Sequence, residues 1–459
     1  MRTSLTASVL AVTLALGAFV FPAVAVTPEL ARDAAIARLG RDLTPLGAEV
    51  KGNADGSIPA YTGGLPASAV SRSPNGHYAD PFATEKPLYT ITRDNLEQHR
   101  SKLSTGHQEL FRRYPDYAMP VYRTHRTAAY AKKYYEESIA NARRARLSND
   151  GNGVVGTRAG LPFPVASSGL EAIWNHLLRY RGDSYAFEIA RLPVQRDGSF
   201  TPVRLLIEAD YHYGNFTKAD SEREDNKLLN YYQYTLAPSR LAGNILLTHE
   251  TVDQARQPRS VWVYNPGQRR VRLAPQVAYD NPQASADGMA VNDESFMYNG
   301  ATDRYEWKLL GKREMLVPYN SYRVSGTGFR FEEIARPGFP EPSLMRYELH
   351  RVWVVEATLK PGTSHIYSKR IFYLDEDSWT VLMCDKYDAR GTFYRFAEQH
   401  VIQMPEIPML YPTVEINFDP DSGRYMITGL RNDSSKVFEL LKPGHRDYTP
   451  TDLRGQGRR

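Results

Sequence analysis

Few side chains in this sequence have the type and spacing that covalent chemistry needs. The only cysteine, Cys384, lies in the apolar run Val381 to Asp385, a setting that suits an inert packed thiol rather than a nucleophile. The 11 histidines are scattered, and His212, His249 and His350 fall in separate strand-like runs with no second ligand at metal spacing. Asp375, Glu376 and Asp377 resemble a calcium cluster but stand between two strand patterns, where a solvated hairpin turn is expected. Asn149 to Gly153 opens like an EF-hand loop, yet the twelfth position from Asp150 is Leu161, which cannot close the coordination. No G-x-S-x-G, H-E-x-x-H or G-x-x-x-x-G-K-[ST] sequence occurs, so no catalytic residue, metal or cofactor is assigned and a non-enzymatic role is expected. A hydrolase whose carboxylates or Ser/His pair are assembled only by the fold is the alternative, with a structural adaptor for partner proteins as a third reading.

The elements that must position any site begin after an export signal. Met1-Arg2, the apolar run Leu5 to Val20 and the Ala23-Val24-Ala25 site read as a signal peptide over 1–25, so the mature chain is expected to start at Val26. No cysteine follows that site for lipidation, which points to an unlipidated periplasmic protein. Formal charge is +5 over 459 residues, too small and too evenly spread for a nucleic-acid partner. Arg269, Arg270 and Arg272 form the densest basic run and read as the solvated edge of a short hairpin. The 30 Tyr, 17 Phe and 5 Trp favour the broad, half-buried surfaces that sheets make.

Residues 26–190 are expected to form a helical and extended wrapping region. Thr27-Pro28-Glu29 opens a helix closed by Gly40; Thr127 to Leu147 is rich in helix formers; and Ser168 to Tyr180 places Leu170, Ile173, Trp174, Leu177 and Leu178 on one stripe. From about Arg191 to 459 the pattern changes to alternating strands with turn clusters, the signature of an antiparallel sheet packed with the preceding region as one large domain. The fold class is mainly β with N-terminal helices (α+β). The absence of βαβ alternation excludes a doubly wound nucleotide-binding fold.

Register can be argued where turns are marked. Loops at Lys360 to Thr363, Asp375 to Ser378 and Asp388 to Gly391 pair Trp353 with Arg370, Arg370 with Met383, and Met383 with Phe396. One face then gathers Trp353, Phe372, Trp379, Met383 and Phe396 with Arg351 and Arg370, and these are expected to line a concave cavity in which the arginines meet an anionic headgroup. By the same size argument Trp262 and Tyr264 are expected to continue the wall.

Five long stretches carry a resemblance: DLTPLGAEVKGNADGSIPAYTGG (Asp42 to Gly64), SGLEAIWNHLLRYRG (Ser168 to Gly182), SVWVYNPGQRRVRLAP (Ser260 to Pro275), MYNGATDRYEWKLLGKREMLVPYN (Met297 to Asn320), and HRVWVVEATLK with RIFYLDEDSW (His350 to Trp379). They resemble a family of large periplasmic proteins grouped with the lipoprotein-sorting LolA/LolB-like fold. The resemblance implies a strongly curved, incomplete antiparallel β-barrel with helices filling or covering its concave face. It also implies a carrier of lipid or another hydrophobic molecule, partnered by an inner-membrane exporter of the resistance-nodulation-division (RND) type and an outer-membrane protein.

Overall fold

The computed structural model describes residues 28–456 except 75, 219–225, 275–278, 405 and 443. The expected signal peptide lies outside the described residues. The N-terminal part supplies α1 (Pro28–Ile36), β1 (Tyr89–Ile91), α2 (Leu96–His99), α3 (Thr105–Arg113), β2 (Met119–Val121), α4 (Lys132–Arg144), the small hairpin β3 (Arg146–Leu147) and β4 (Val154–Val155), and α5 (Gly169–Leu178). A first meander follows: β5 (Ser184–Val194), β6 (Val203–Tyr211), β7 (Lys227–Ala237), β8 (Ile245–Thr251), β9 (Ser260–Asn265) and β10 (Arg270–Leu273). After β11 (Tyr305–Pro318) and α6 (Phe331–Ile334) come β12 (Tyr347–Leu359), β13 (Lys369–Asp375), β14 (Val381–Tyr387), β15 (Phe393–Met404), β16 (Met409–Asp419), β17 (Arg424–Leu430), β18 (Glu439–Leu440) and α7 (Pro450–Gln456).

Both meanders belong to one curved, unclosed sheet in the order β1-β2-β12-β13-β14-β15-β16-β17-β5-β6-β7-β8-β9-β10, with β11 also on β12 and β18 on β5. The meanders meet where β17 pairs antiparallel with β5, Tyr425 facing Val194. Regular strands begin at Ser184 rather than near Arg191, and β1 and β2 join the sheet from within the stretch expected only to wrap it. No described helix is long and apolar enough to cross a membrane.

α5 starts where its sequence says it should. Ser168 caps it, its Oγ accepting from the Glu171 amide at 3.1 Å, while Glu171 accepts from the Ser167 amide at 2.6 Å. The expected single apolar stripe understates its burial, because Asn175 and His176 on other faces are buried as well. Asn175 is satisfied by both backbone groups of Phe163, and His176 lies 3.0 Å from the Phe296 carbonyl. Gly169 lets the helix press against β11, since a Cβ there would lie 2.7 Å from the Lys308 backbone.

The registers differ from those read off the turns, with two physical causes. The first loop runs on through Ser368, so Trp353 faces Leu374 and Ala357 faces Arg370. An irregularity between Tyr373 and Leu374 then places Phe372 opposite Cys384 and Tyr373 opposite Met383, an odd shift that turns Met383 to the other face. Met383 faces Glu398 and Asp385 faces Phe396 in the next pair. The expected single face is therefore two: Arg370 and Phe372 on one side, Met383 and Phe396 on the other.

Met383 and Phe396 share their side with α3. The Thr105 and Gly106 amides at its start donate to the buried Asp385 carboxylate at 3.0 and 2.9 Å, and Gly106 abuts the Phe396 ring so closely that a Cβ would overlap it. The turn at Asp375 to Ser378 is buried rather than solvated, because N-terminal segments cover it. Arg126 grips Asp377 at 2.6 and 2.9 Å, and Glu49 and Glu376 share Lys312.

Candidate functional site

The face that carries Phe372 continues through Cys384, Ala397 and Asn417 to Met426. Further along the same strands, Gln399, Glu415, Thr428 and Arg191 stand side by side on it and border a cavity of about 390 Å³. The first meander forms the main wall. Cross-strand neighbours Phe187, Ile207, Gln233, Leu246 and Val263 make one row, and Tyr231, Thr248 and Val261 make the next. Alternation forces this: each wall residue has neighbours pointing the other way, so a half-apolar pattern becomes an apolar surface only once register stacks the rows.

Residues 281–299 roof the cavity and bind to the sheet. The Arg191 guanidinium donates to the Ala284 carbonyl at 2.9 Å and the Met297 amide to Glu415 at 3.2 Å, while Asp293 and Glu294 form buried ion pairs with Arg370 and Lys386. The cavity border holds four arginines, Arg181, Arg191, Arg259 and Arg431, and two acids, Glu250 and Glu415. Arg259 and Glu250 are 3.2 Å apart. Arg181, Arg191 and Arg431 are at most 5% exposed, and no described carboxylate lies within ion-pair reach of them. Arg431 stacks over Phe187 and Tyr411, at 4.7 and 5.0 Å, and Arg181 over Tyr211 and Phe296, at 5.3 and 5.0 Å. The Nε atoms of all three, together with Gln399 Oε1 and Thr428 Oγ1, are buried without a hydrogen-bond partner. Burial pushes the Glu250 and Glu415 carboxyls up, toward neutrality, and the Arg191 guanidinium down. Arg179, just before Arg181, is pushed down to about 9 by burial and by Arg181 beside it.

None of the residues singled out from the sequence borders this cavity. Trp262 and Tyr264 lie on the opposite face, packed with Tyr232, Leu247, Tyr448 and Leu453 under α7, while the smaller Val261 and Val263 face inward. The size argument fails there because the larger side chains cover a helix contact. Arg351 is held by Glu376 at 2.6 Å and by the carbonyls of Glu49 and Lys51, and so anchors the N-terminal wrap. Trp353 and Trp379 stack on each other at 5.7 Å, with Lys312 over Trp353 and the Trp379 indole donating to the Leu46 carbonyl. Arg370 is paired twice with Asp293 and ringed by Tyr298, Tyr305, Tyr367 and Phe372. Met383 and Phe396 lie fully buried on the α3 side. Sequence reasoning missed Arg181, Arg191 and Arg431. Arg191 had a legible signal, since it follows Phe187 and Ile189 at alternate positions of one strand.

Two buried polar clusters lie apart from the cavity. Ser321 Oγ is 3.0 Å from His400 Nδ1, whose other nitrogen lies 3.4 Å from Glu398, and Glu398 also takes His107 and the Tyr347 hydroxyl. This is a Ser/His pair in hydrogen-bond reach, but its members are at most 1% exposed and border neither described hollow. His350, Asp375 and Asp377 bring ligand atoms within 4.8 Å of one another. Both Asp377 oxygens are already engaged by Arg126, and Ser378 and Tyr319 donate to Asp375. A second, more polar hollow of about 790 Å³ lies between α4 and the start of β7.

A family model for proteins of unknown function, DUF1329, matches residues 90–454. The uncharacterized protein PA3922 of Pseudomonas aeruginosa is 46% identical over 423 residues, covering 92% of this chain and 93% of that protein. Among solved structures, a DUF1329 family protein from Desulfovibrio piger overlaps 59% of this chain and 91% of its own at 15% identity and a TM-score of 0.38. A LolA superfamily protein from Nitrosomonas europaea overlaps 62% of this chain and 98% of its own at 13% identity and the same score. On the extent of the family match and of the Pseudomonas relative, the chain belongs to the DUF1329 family.

Proposed function

We propose that the protein binds a lipid or similar hydrophobic molecule in the cavity under residues 281–299 and carries it through the periplasm without chemical change. The observation that carries this is the largely apolar wall contributed by β5 to β9, interrupted only by Gln233 and Thr248 in its two rows and backed by Tyr411 and Val414 of β16. A volume of about 390 Å³ falls within the ordinary range of small-molecule sites. Burying an acyl chain of some 14 carbons is worth on the order of 11 kcal/mol, so lipids leave a membrane quickly only when apolar surface lines their path. An RND-type exporter and an outer-membrane protein are the partners proposed for loading and delivery.

Native mass spectrometry of protein purified gently from its host tests the reading, alongside binding of the neutral fluorophore N-phenylnaphthylamine. Bound lipid is expected, with fluorophore binding abolished by Ile207→Trp, which fills the wall row, at an unchanged unfolding midpoint. No lipid in repeated preparations, with no fluorophore binding by the wild type, would sink the proposal.

A further inference from the structure

We infer that the ligand is an anionic, single-chain amphiphile whose carboxylate or phosphate end sits among Arg181, Arg191 and Arg431 while its tail lies along Ile207, Leu246 and Val263. This rests on the cavity being the binding site. A buried guanidinium left without an acceptor is costly, and native interiors pair or neutralise such groups. Elsewhere in this chain that rule holds: Arg126, Arg351, Arg370 and Arg446 each have a carboxylate at 3 Å or less. Most of the departures border the cavity; Arg179, buried with Nε and Nη2 unpartnered and no carboxylate beside it, is the exception outside it. Three guanidinium groups bordering the cavity lack a carboxylate, and each has a buried Nε with no acceptor.

Aromatic rings beside Arg181 and Arg431 support the flat faces of these groups, and each donates one bond, to the Leu177 carbonyl and the Tyr411 hydroxyl, but the N–H groups that remain, Nε among them, still require an oxygen acceptor. Glu250 serves Arg259, and Glu415 accepts from the Met297 amide and from Asn417, so neither acid is free to serve the three. Carboxylate and phosphate both offer the oxygens that an arginine fork takes.

Cavity size sets the tail. A hollow of about 150 Å³ takes one benzene, so the volume here holds about 16 carbon-sized atoms. That is one acyl chain, and a lipid with two or three acyl chains would leave about half or more of its apolar surface outside.

The test measures displacement of N-phenylnaphthylamine from the full mature protein by hexadecanoate, hexadecyl phosphate, hexadecanol, hexadecyltrimethylammonium, a two-chain phosphatidylglycerol and inorganic phosphate. The two single-chain anions are expected to bind at least about tenfold tighter than the alcohol or the cation, in line with the strength of charge-assisted hydrogen bonds. Arg191→Gln and Arg431→Gln should each remove about that factor for the anions and leave hexadecanol unchanged, with circular dichroism confirming the fold of both variants.

Equal binding of alcohol and anion by the wild type, or anion binding unaffected in both variants, overturns the inference while leaving the cavity reading intact. If the fluorophore itself does not bind, the cavity reading fails first. Inorganic phosphate binding as tightly as hexadecyl phosphate would show an anion site without a tail, and tighter binding of the two-chain lipid would refute the single-chain assignment.

Discussion

Arg370 and Arg191 project from the same face of one sheet into opposite circumstances. Arg370, on β13, meets Asp293 through two hydrogen bonds inside a cage of aromatic rings, whereas Arg191, on β5, reaches only the Ala284 carbonyl and faces a hollow. Both partners come from the 281–299 segment, which offers a carboxylate over the second meander and a backbone oxygen over the first. Around Arg370, burial opposes charge on both partners, yet their pairing holds the Asp293 carboxyl well below and the Arg370 guanidinium well above their usual ranges. One half of the sheet is closed by complementary charge, and the other keeps its charge unspent.

The contrast breaks most sharply at Asp293. Asp293→Ala leaves Arg370 buried and unpaired, and urea unfolding should show a loss of about 3–5 kcal/mol. Arg191→Met removes a guanidinium with no carboxylate partner and should change stability by less than about 1 kcal/mol or raise it. Equal losses in the two variants would mean that the halves do not differ as described.

A smaller effect is expected on the closed half's other face. Gly106→Ala drives a methyl into the Phe396 ring and should cost about 1–3 kcal/mol, as overpacking does. The equivalent small-to-large change at Val263, which borders the hollow, should be tolerated. Thermal unfolding of the two single variants checks both.

The last contrast is a pH dependence. Burial, and then the charge of Asp377 beside it, pushes the Asp375 carboxyl up to about 7 against an ordinary 3.8, with His350 opposing. A carboxyl raised in the folded state binds its proton more readily there, so its contribution to stability is full below about pH 4 and is lost as pH rises through 7. Asp375→Asn should therefore gain on the wild type by about 3–4 kcal/mol between pH 4 and pH 8. A constant gap across that range in urea titrations would show that Asp375 does not titrate there.

Local signals in the sequence transferred well to the structure. Ser168 caps α5 as its position suggests, Pro28 opens α1, and the Asp388 to Gly391 turn closes where turn chemistry places it. The alternating runs became antiparallel strands of a curved sheet. What did not transfer depends on long-range pairing. The loop after β12 is longer than its Lys360 to Thr363 turn, and the irregularity at Tyr373 is invisible in residue types, so one odd slip moved Met383 across the sheet. The junction of β17 with β5, which brings Arg191 beside Thr428, joins segments more than 200 residues apart with no local mark. The cavity arginines were therefore out of reach of turn-based register, while Arg351 and Arg370, flanked by large aromatics, drew attention to a region that is solid.

Because the sheet never closes, it ends in a strand whose outer backbone groups have, among the described residues, no strand to bond. That strand is β10, last in the order after β9, with Arg270 and Arg272 along it, Arg269 at left-handed φ in the turn before it, and Leu273 59% exposed. An open β-edge beside an exposed leucine is a template for uncontrolled polymerisation, and closely spaced like charges are the usual guard against it. On that physics the exposed arginines of this solvated hairpin make two such edges repel each other, and a chain stripped of them is expected to assemble edge to edge.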